Sequence, residues 1–473
     1  MSAIDGFVIA PKPAAHFGVG AIEKLPGVVR AIGADNVVVV TDAGLAVTPV
    51  IAQVTDVLAA EGLVTYVFSG VHPDPTTDDV AAGAAAAAAA AASAAAAAEA
   101  AAEAAAVAAT LKASAPLVTP PAPSPLTTPA APAPFVSSAP PAPLVGFAAP
   151  GAPVAASAHG DPAALSAPPS PFAGARIALV AVGGGSSIDA AKGIAIAAVN
   201  PQRGRDLDYR RELAVPGLPI VAVPTTAGTG AETNAVGVVT DPATHRKFYL
   251  GHASTMPAAA ILDPALTVGL PRAVTAATGM DALTHALESY LSLHPNPWSD
   301  GIALQAIRMT AANLPRACDD GEDLEARSQM LLAAHMAGVA FGHTGLGLCH
   351  AIGHSLGGRW NIAHGAALSM LLPDVLRFNL PVRTARLGDI AFALGVGDTR
   401  SGHDRNAAAA IEAVAGLTAR VGLTGGLADF GITEADFAQI AADALDDEVL
   451  ANTPRPPTRA DIVSILRSPP GRL

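Results

Sequence analysis

The chain has 473 residues, of which 51% are hydrophobic and 14% charged, and its formal net charge is −13 at pH 7. This length allows two or more domains, each with its own core. The negative charge disfavours nucleic acid and anionic membrane as partners, because both require a basic face. Two cysteines, Cys318 and Cys349, argue against a disulfide framework and fit a reducing cytoplasm.

The chain carries no sequence signal for secretion or for membrane insertion. Its first residues, MSAIDGFVIAPKP, lack a basic segment followed by an apolar one. No run of strongly apolar residues reaches the ~20 needed to span a bilayer. We therefore expect a soluble, acidic, cytoplasmic protein without a membrane partner.

A β-α-β pattern opens the chain. Asn36–Val40 and Val64–Phe68 are short runs typical of buried parallel strands, and residues 46–60 between them predict a crossover helix. Asp42 follows the first run. An acidic residue there can bind the hydroxyls of an adenosine ribose and repel a 2′-phosphate, although Asp is also common in turns. The pattern predicts a doubly wound sheet.

The composition changes at Ala81. Ala81–Ala109 is nearly all alanine and should be helical, whereas Pro116–Pro171 is rich in Pro, Ala and Ser and has too few large apolar groups to form a core. Long surface insertions cost little loop entropy. We therefore interpret residues 81–171, approximately, as a tolerated insertion rather than a functional device.

The α/β pattern resumes with the strand Ala175–Val182. A turn containing Gly184, Gly185 and Ser186 follows it, and a helix is predicted from Ala190. Glycines between a strand and a helix allow backbone N–H groups to approach a pyrophosphate, and the helix dipole favours the negative charge. This context predicts a phosphate-binding turn.

Two more features of the α/β half can contact a nucleotide. The strand Pro219–Val223 leads to Thr225 and Thr226, whose hydroxyls can donate to phosphate or ribose oxygens or simply form a turn. Val236–Thr240 and Arg246–Leu250 predict a hairpin. It carries Lys247, which can reach a phosphate or be a solvated edge residue.

After Pro264 the pattern is helical, and histidines concentrate there. Asp281 and His285 are four residues apart, as are His350 and His354, so each pair shares a helix face. Glycines are predicted to end the second helix, and His364 to begin the next. One carboxylate and two or three imidazoles suit Zn²⁺ or Fe²⁺. The alternative role for a histidine on an apolar helix is packing or capping, and we assign this role to His294, His335, His343 and His403. The glycines predicted to end the second helix are Gly357 and Gly358.

Four motifs together resemble the iron-containing (group III) alcohol dehydrogenase family: GGGSSIDAAK, PTTAGTGAET, ATGMDALTHALESY and GLGLCHAIGHSLGGRWNIAHG. The resemblance covers the chain from about residue 10 onwards, except for the insertion. It implies a modified Rossmann α/β domain over residues 1–265 and an all-α metal-binding domain over residues 266–473, a dehydroquinate synthase-like architecture. It also implies a homodimer and interconversion of small primary alcohols or diols with aldehydes.

The resemblance also implies roles for individual residues. It places the Fe²⁺ ligands, with Zn²⁺ or Mn²⁺ as alternatives, at Asp281, His285, His350 and His364. His354 would be the catalytic histidine beside nicotinamide and substrate. The contacts to NAD, or less favourably NADP, would come from Asp42, Gly184, Gly185, Ser186, Thr225, Thr226 and Lys247. The residues expected around the substrate are Phe341, Leu346, Cys349 and Trp360.

Two departures from the family pattern stand out. Asp74 occupies a position where the family often has Asn near the cofactor, and the insertion replaces one helix and a short loop. Alternative functions are a glycerol dehydrogenase, a maleylacetate reductase or a dehydroquinate synthase-like lyase. Asp281 counts against the maleylacetate reductases, whose pattern lacks this ligand. A non-enzymatic scaffold is the alternative of a different class, and the intact ligand set and glycine turn disfavour it.

Overall fold

The computed structural model describes residues 12–113, 172, 175–200, 202–244 and 246–468, with the backbone alone for residues 107–113. The Pro-rich segment predicted at 116–171 lies outside the described residues. By its internal contacts the chain divides into two units: residues 1–96 with 171–473, and residues 97–170. The strands, and all helices except the end of one, belong to the first unit.

A six-stranded, wholly parallel sheet forms the N-terminal half, in the order β1-β8-β5-β4-β2-β3. Its central strands are buried on both faces, which is why they read as unbroken apolar runs. Two further strands, β6 and β7, form an antiparallel hairpin. The strands are β1 Ala14–Phe17, β2 Asn36–Asp42, β3 Val64–Val71, β4 Ile177–Gly183, β5 Ile220–Pro224, β6 Val236–Asp241, β7 Arg246–Gly251 and β8 Ala259–Leu262.

Five α-helices accompany the sheet, and eight more make up the described part of the chain after β8. The first five are α1 Leu25–Ala31, α2 Ala43–Ala46, α3 Pro49–Ala60, α4 Thr77–Ala113 and α5 Gly185–Val199. The other eight are α6 Arg272–Leu291, α7 Pro297–Asp319, α8 Leu324–Thr344, α9 Leu348–Trp360, α10 His364–Ala393, α11 His403–Arg420, α12 Glu434–Leu445 and α13 Arg459–Leu466. The predicted fold class, an α/β half followed by a helical half, is confirmed.

Two predicted helix boundaries were wrong. Helix α5 begins at Gly185 rather than Ala190, so the glycine turn runs directly into the helix. Helix α9 does not end at Gly357 and Gly358 but continues to Trp360, where Asn361 adopts a left-handed conformation with φ 53°. A Cβ at Gly357 would lie 3.3 Å from the Lys247 Nζ atom. The glycine therefore permits close packing inside the helix instead of ending it.

The alanine tract is helical, as predicted. Ala87, Ala90 and Ala91 of α4 are buried against the sheet. By length and composition alone, the helical segment Thr77–Ala106 could cross a membrane. In the protein, 39% of its most apolar window is buried. The expectation concerned strongly apolar residues and stays a prediction, because this segment is nearly all alanine, which is only weakly apolar. The bent pair α8 and α9 also passes this test if taken as one broken span.

Candidate metal and cofactor site

One carboxylate oxygen lies at the centre of a histidine cluster. The Oδ1 atom of Asp281 is 3.6 Å from Nε2 of His285, 3.7 Å from Nε2 of His350 and 3.7 Å from Nε2 of His364. Possible ligand atoms of Asp281, His285 and His350 all lie within 4.8 Å of one another. The structure thus brings together the four residues that the resemblance places as metal ligands.

Three helices deliver these side chains. Asp281 and His285 are on successive turns of α6, His350 is in the first turn of α9, and His364 begins α10. A Cβ at Gly365 would collide with the carbonyl oxygen of Ala277 in α6. Because Gly365 has no side chain, α10 starts directly against α6, and its first residue lies beside Asp281.

The electrostatics of the cluster favour a cation. Burial lowers the pKa of His285 to about 4 and holds the pKa of His364 well below its usual range. Burial would also lower the pKa of His350, but Asp281 and Glu288 together raise it to about 9. For Asp281, the raising effect of burial is outweighed by His285, His350 and His364, and its pKa falls. The carboxylate is therefore charged at neutral pH.

The donor set fits a divalent metal ion. The Asp281 Oδ1 and His350 Nε2 atoms are buried and have no hydrogen-bond partner within the described residues. Buried polar atoms are normally satisfied, so unpaired atoms that face each other at 3.7 Å indicate a missing common partner. One carboxylate oxygen and three imidazole nitrogens are ligands that Zn²⁺ and Fe²⁺ accept.

The sequence reasoning missed Glu288, which supports the cluster. Glu288 is buried on α6, and its Oε2 atom lies 2.5 Å from Nδ1 of His350. It also accepts hydrogen bonds from the backbone N–H groups of Gly347 and Cys349. Its position seven residues after Asp281 places it on the same face of α6, and this spacing was the signal that could have identified it.

His354 lies next to the cluster, and its ring stacks with that of His364 at a centroid distance of 5.4 Å. Its Nδ1 atom is 2.7 Å from Oδ2 of Asp447, whose Oδ1 atom accepts from the Tyr249 hydroxyl at 2.8 Å. Burial would raise the pKa of Asp447, but its contacts with His354, Val449 N–H and Tyr249 lower it overall. No local sequence pattern predicts Asp447, because it is distant from His354 in the chain.

The predicted phosphate-binding turn leads directly into α5. Gly184 caps α5, and Gly185 and Ser186 form its first turn. A Cβ on Gly185 would lie 2.5 Å from Thr229, and one on Gly184 would lie 3.3 Å from Thr226. The two turns after β4 and β5 therefore pack against each other at the carboxyl edge of the sheet, where nucleotides bind in open α/β sheets.

The remaining predicted cofactor residues lie around this edge. Thr225 is buried, and its N–H donates to the Gly183 carbonyl at 2.9 Å. Asp42 ends β2 and caps α2, accepting from the Leu45 N–H at 2.9 Å through Oδ1. Lys247 is paired with Asp74, Nζ to Oδ1 2.5 Å. The carboxylate that replaces the family's Asn thus neutralises the predicted cofactor lysine.

A cavity of about 470 Å³ connects the glycine turn to the histidine cluster. Its lining includes Gly185, Ser186 and Lys247 from the α/β half and the four clustered residues of the helical half, together with His354. Phe341 and Leu346 also line it, as expected. Cys349 and Trp360 do not: Cys349 is fully buried, with Sγ directed at the Leu368 carbonyl, and Trp360 packs on the helical core.

The four histidines to which the sequence gives no metal role stay outside the cluster. His335 pairs with Glu232 at 3.0 Å, and His343 contacts the carbonyl of Val339 at 2.8 Å. His294 is exposed, and His403 starts α11. The contacts of His335 and His343 agree with the packing interpretation, whereas His294 is neither packed nor capping.

Family models define the class of this protein. A model described as "Iron-containing alcohol dehydrogenase" matches residues 12–113 and 174–264, and one described as "Fe-containing alcohol dehydrogenase family, C-terminal" matches residues 275–469. The chain belongs to the iron-containing alcohol dehydrogenase family. It is accordingly an oxidoreductase of the alcohol dehydrogenase type.

Individual relatives support this assignment. Over 287 residues the chain is 46% identical to the probable alcohol dehydrogenase EutG of Salmonella typhimurium, covering 61% of this chain and 71% of the relative. It is 41% identical to the NAD-dependent methanol dehydrogenase of Bacillus methanolicus, over 62% of this chain and 76% of the relative. A crystal structure of 1,3-propanediol oxidoreductase superposes with a TM-score of 0.77 at 31% identity, covering 98% of this chain and 99% of the other.

Proposed function

We propose that the chain is an NAD-dependent and divalent-metal-dependent alcohol dehydrogenase that interconverts a small primary alcohol or diol and the corresponding aldehyde. The observation that carries the proposal is the single cavity lined both by the phosphate-type turn at Gly185 and by the Asp281 cluster. A nucleotide held at the turn would extend towards the substrate oxygen. We further propose a cytoplasmic homodimer whose two domains meet near residue 265.

Asp281, His285, His350 and His364 would hold the metal ion, with iron favoured by the family and zinc or manganese as alternatives. When bound, the ion supplies Lewis acidity to the substrate oxygen, and the nicotinamide accepts or donates the hydride. The chain's own contribution is to position these groups in a buried site. Phe341 stacks on His285 at 4.6 Å and covers one side of the cluster.

His354 is our candidate for moving the proton that leaves the alcohol hydroxyl. With Nδ1 held by Asp447, its Nε2 atom is available to the cavity. If it acts in this way, His354→Ala lowers turnover and changes the pH profile while metal content is retained. An unchanged turnover and pH profile would contradict the role.

The cofactor preference rests on Asp42. A carboxylate at the end of β2 would accept hydrogen bonds from the ribose hydroxyls of NAD and repel the 2′-phosphate of NADP. Gly184, Gly185, Ser186, Thr225, Thr226 and Lys247 would complete the cofactor contacts.

The function is tested by an NADH-linked assay on anaerobically purified protein, using a panel of short alcohols, diols and aldehydes. Turnover that is lost on chelation and restored by a divalent ion supports the proposal. Metal-loaded protein that turns over none of these substrates would contradict it and favour a lyase or a specialised substrate.

A further inference from the structure

The carboxylate of Glu288 lies where three hydrogen-bond donors converge. Oε2 accepts from Gly347 N–H at 3.1 Å and contacts His350 Nδ1 at 2.5 Å, and Oε1 accepts from Cys349 N–H at 2.7 Å. The side chain is 8% exposed and His350 is 1% exposed. Both backbone donors belong to the start of α9, the helix that carries His350. One buried side chain therefore fixes both the helix start and the imidazole.

The contact determines which nitrogen of His350 carries the proton. A carboxylate only accepts, so neutral His350 must place its proton on Nδ1 in order to donate to Oε2. The lone pair is then on Nε2, the atom that faces Asp281 Oδ1 at 3.7 Å. This tautomer is the one a metal ligand requires.

The missing side chain at Gly347 leaves room for the carboxylate. A Cβ on Gly347 would lie 3.2 Å from Glu288 Oε1 and 3.2 Å from Thr453 Oγ1. These contacts are tighter than normal, so the absence of a side chain at Gly347 allows Glu288 to reach the turn.

We propose that Glu288 is a positioning residue for the metal ion, which holds His350 in the Nδ1–H tautomer and so sets the metal affinity of the site. This inference rests on the proposed function, because it takes the Asp281 cluster as a metal site. Glu288 itself touches neither metal nor substrate. Its hydrogen bonds act on His350 and on the start of α9, the helix that carries this imidazole.

The test replaces Glu288 by the isosteric Gln. A Gln side chain at this position cannot accept hydrogen bonds from all three donors. If the amide nitrogen faces His350, it donates to Nδ1 and forces the imidazole proton onto Nε2. If the amide is reversed, its nitrogen faces the Cys349 N–H group, which then has no acceptor. A matched control is Glu232→Gln. Glu232 is another buried glutamate that pairs with a histidine, His335, outside the cluster.

The measurement is calorimetric titration of Zn²⁺ and Co²⁺ into metal-free full-length protein, with the absorption spectrum of bound Co²⁺ as a second readout. Glu288→Gln is expected to weaken binding about ten- to hundredfold and to change the Co²⁺ spectrum, as outer ligands of this kind typically do. Glu232→Gln should bind as the wild type does. Gly347→Ala crowds the carboxylate without removing it, so this substitution should also weaken metal binding. It replaces Glu288→Gln as the test if the Glu288→Gln protein does not fold.

The outcomes separate the two proposals. Unchanged affinity and spectrum in Glu288→Gln, with a wild type that binds one ion, would overturn the role of Glu288 and leave the proposed function intact. Equal weakening in Glu232→Gln would also overturn it, since the effect would then be general. A wild type that binds no divalent ion would overturn the metal site together with this inference.

Discussion

At the residue scale, the site depends on a single carboxylate shared by three imidazoles. Asp281 is 3% exposed, and its charge is retained because His285, His350 and His364 all direct a ring nitrogen towards it. Without a common partner, such a group of buried polar atoms would be costly. The arrangement therefore explains why a carboxylate is found so deep within a helical core.

Asp42 gives a prediction at the same scale. Asp42→Ser removes the charge but keeps an oxygen that can cap α2, so the fold should be retained. We expect the ratio of kcat/KM for NADP to that for NAD to rise about tenfold or more, equivalent to about 1.4 kcal/mol. Asp56→Ser, on the exposed face of α3, is the control. Equal efficiency of the wild type with both cofactors would refute this account of Asp42.

The sequence was sufficient to predict which four residues cluster, but not the residues that support them. Asp281 and His285 share a helix face by spacing, and the motif resemblance placed His350 and His364. Glu288 was detectable by the same spacing but was overlooked. Asp447 was not detectable, since its contact with His354 joins residues 93 positions apart. Long-range contacts of this kind depend on the tertiary packing of α9 against the segment after α12.

At the element scale, glycines set how closely the elements approach. The prediction that Gly357 and Gly358 end α9 treated glycine as a helix breaker, whereas the packing of Lys247 against Gly357 shows a helix interior in close contact with β7. Likewise α5 starts earlier than predicted, and Gly185 at its start lies against Thr229. Local propensity does not encode such contacts, which arise only in the tertiary packing.

Gly365→Ala tests this view of the elements. The added methyl group would collide with the Ala277 carbonyl and push the start of α10 away from α6. We expect a loss of about 1–3 kcal/mol in the free energy of unfolding, measured in urea, together with weaker metal binding.

The control for Gly365→Ala is Gly301→Ala. Gly301 is a solvent-exposed residue within α7, and a Cβ there would meet nothing within 4 Å. This substitution should leave metal binding unchanged and stabilise the helix by up to about 1 kcal/mol. If Gly365→Ala bound metal as tightly as the wild type, the close contact of α10 with α6 would not be what positions His364.

At the scale of the whole molecule, acidic residues after α12 join the helical half to the hairpin and to Tyr209 in the segment before β5. Asp447 accepts from Tyr249 of β7, Glu448 from Tyr209, and Asp446 pairs with Arg246. The cavity lies between the elements connected in this way. These contacts therefore fix the two walls of the proposed active site relative to each other.

Asp447 should make stability depend on pH. Because its pKa is lowered in the folded chain, its contribution is present above the unfolded value of about 3.9 and is lost as the pH falls through the folded value. We expect Asp447→Asn to lower the free energy of unfolding by about 1–3 kcal/mol at neutral pH. Below about pH 4, the free energy of unfolding of this variant should fall less steeply than that of the wild type.

Asp446→Asn provides the comparison for Asp447→Asn. Its ion pair with Arg246 is largely exposed, so the substitution should change stability by less than about 1 kcal/mol. Acid unfolding curves of Asp447→Asn that were parallel to those of the wild type would show that Asp447 does not link the two halves as inferred.

The described residues account for the site without the insertion. The predicted cofactor and metal residues lie in β2, the turns after β4 and β5, the hairpin and helices α6, α9 and α10. The family models likewise stop at residue 113 and resume at 174. We propose that residues 114–173, which include most of the predicted insertion of about residues 81–171, are not needed for catalysis.

The most direct measurement is the metal content of the anaerobically purified chain, compared with His364→Ala and with His294→Ala as a matched control. We predict one tightly bound divalent ion per wild-type chain, retained in His294→Ala and lost from His364→Ala along with NADH-linked turnover. A wild type without metal, or a His364→Ala variant that holds it as tightly, would contradict the four-ligand site on which the account rests.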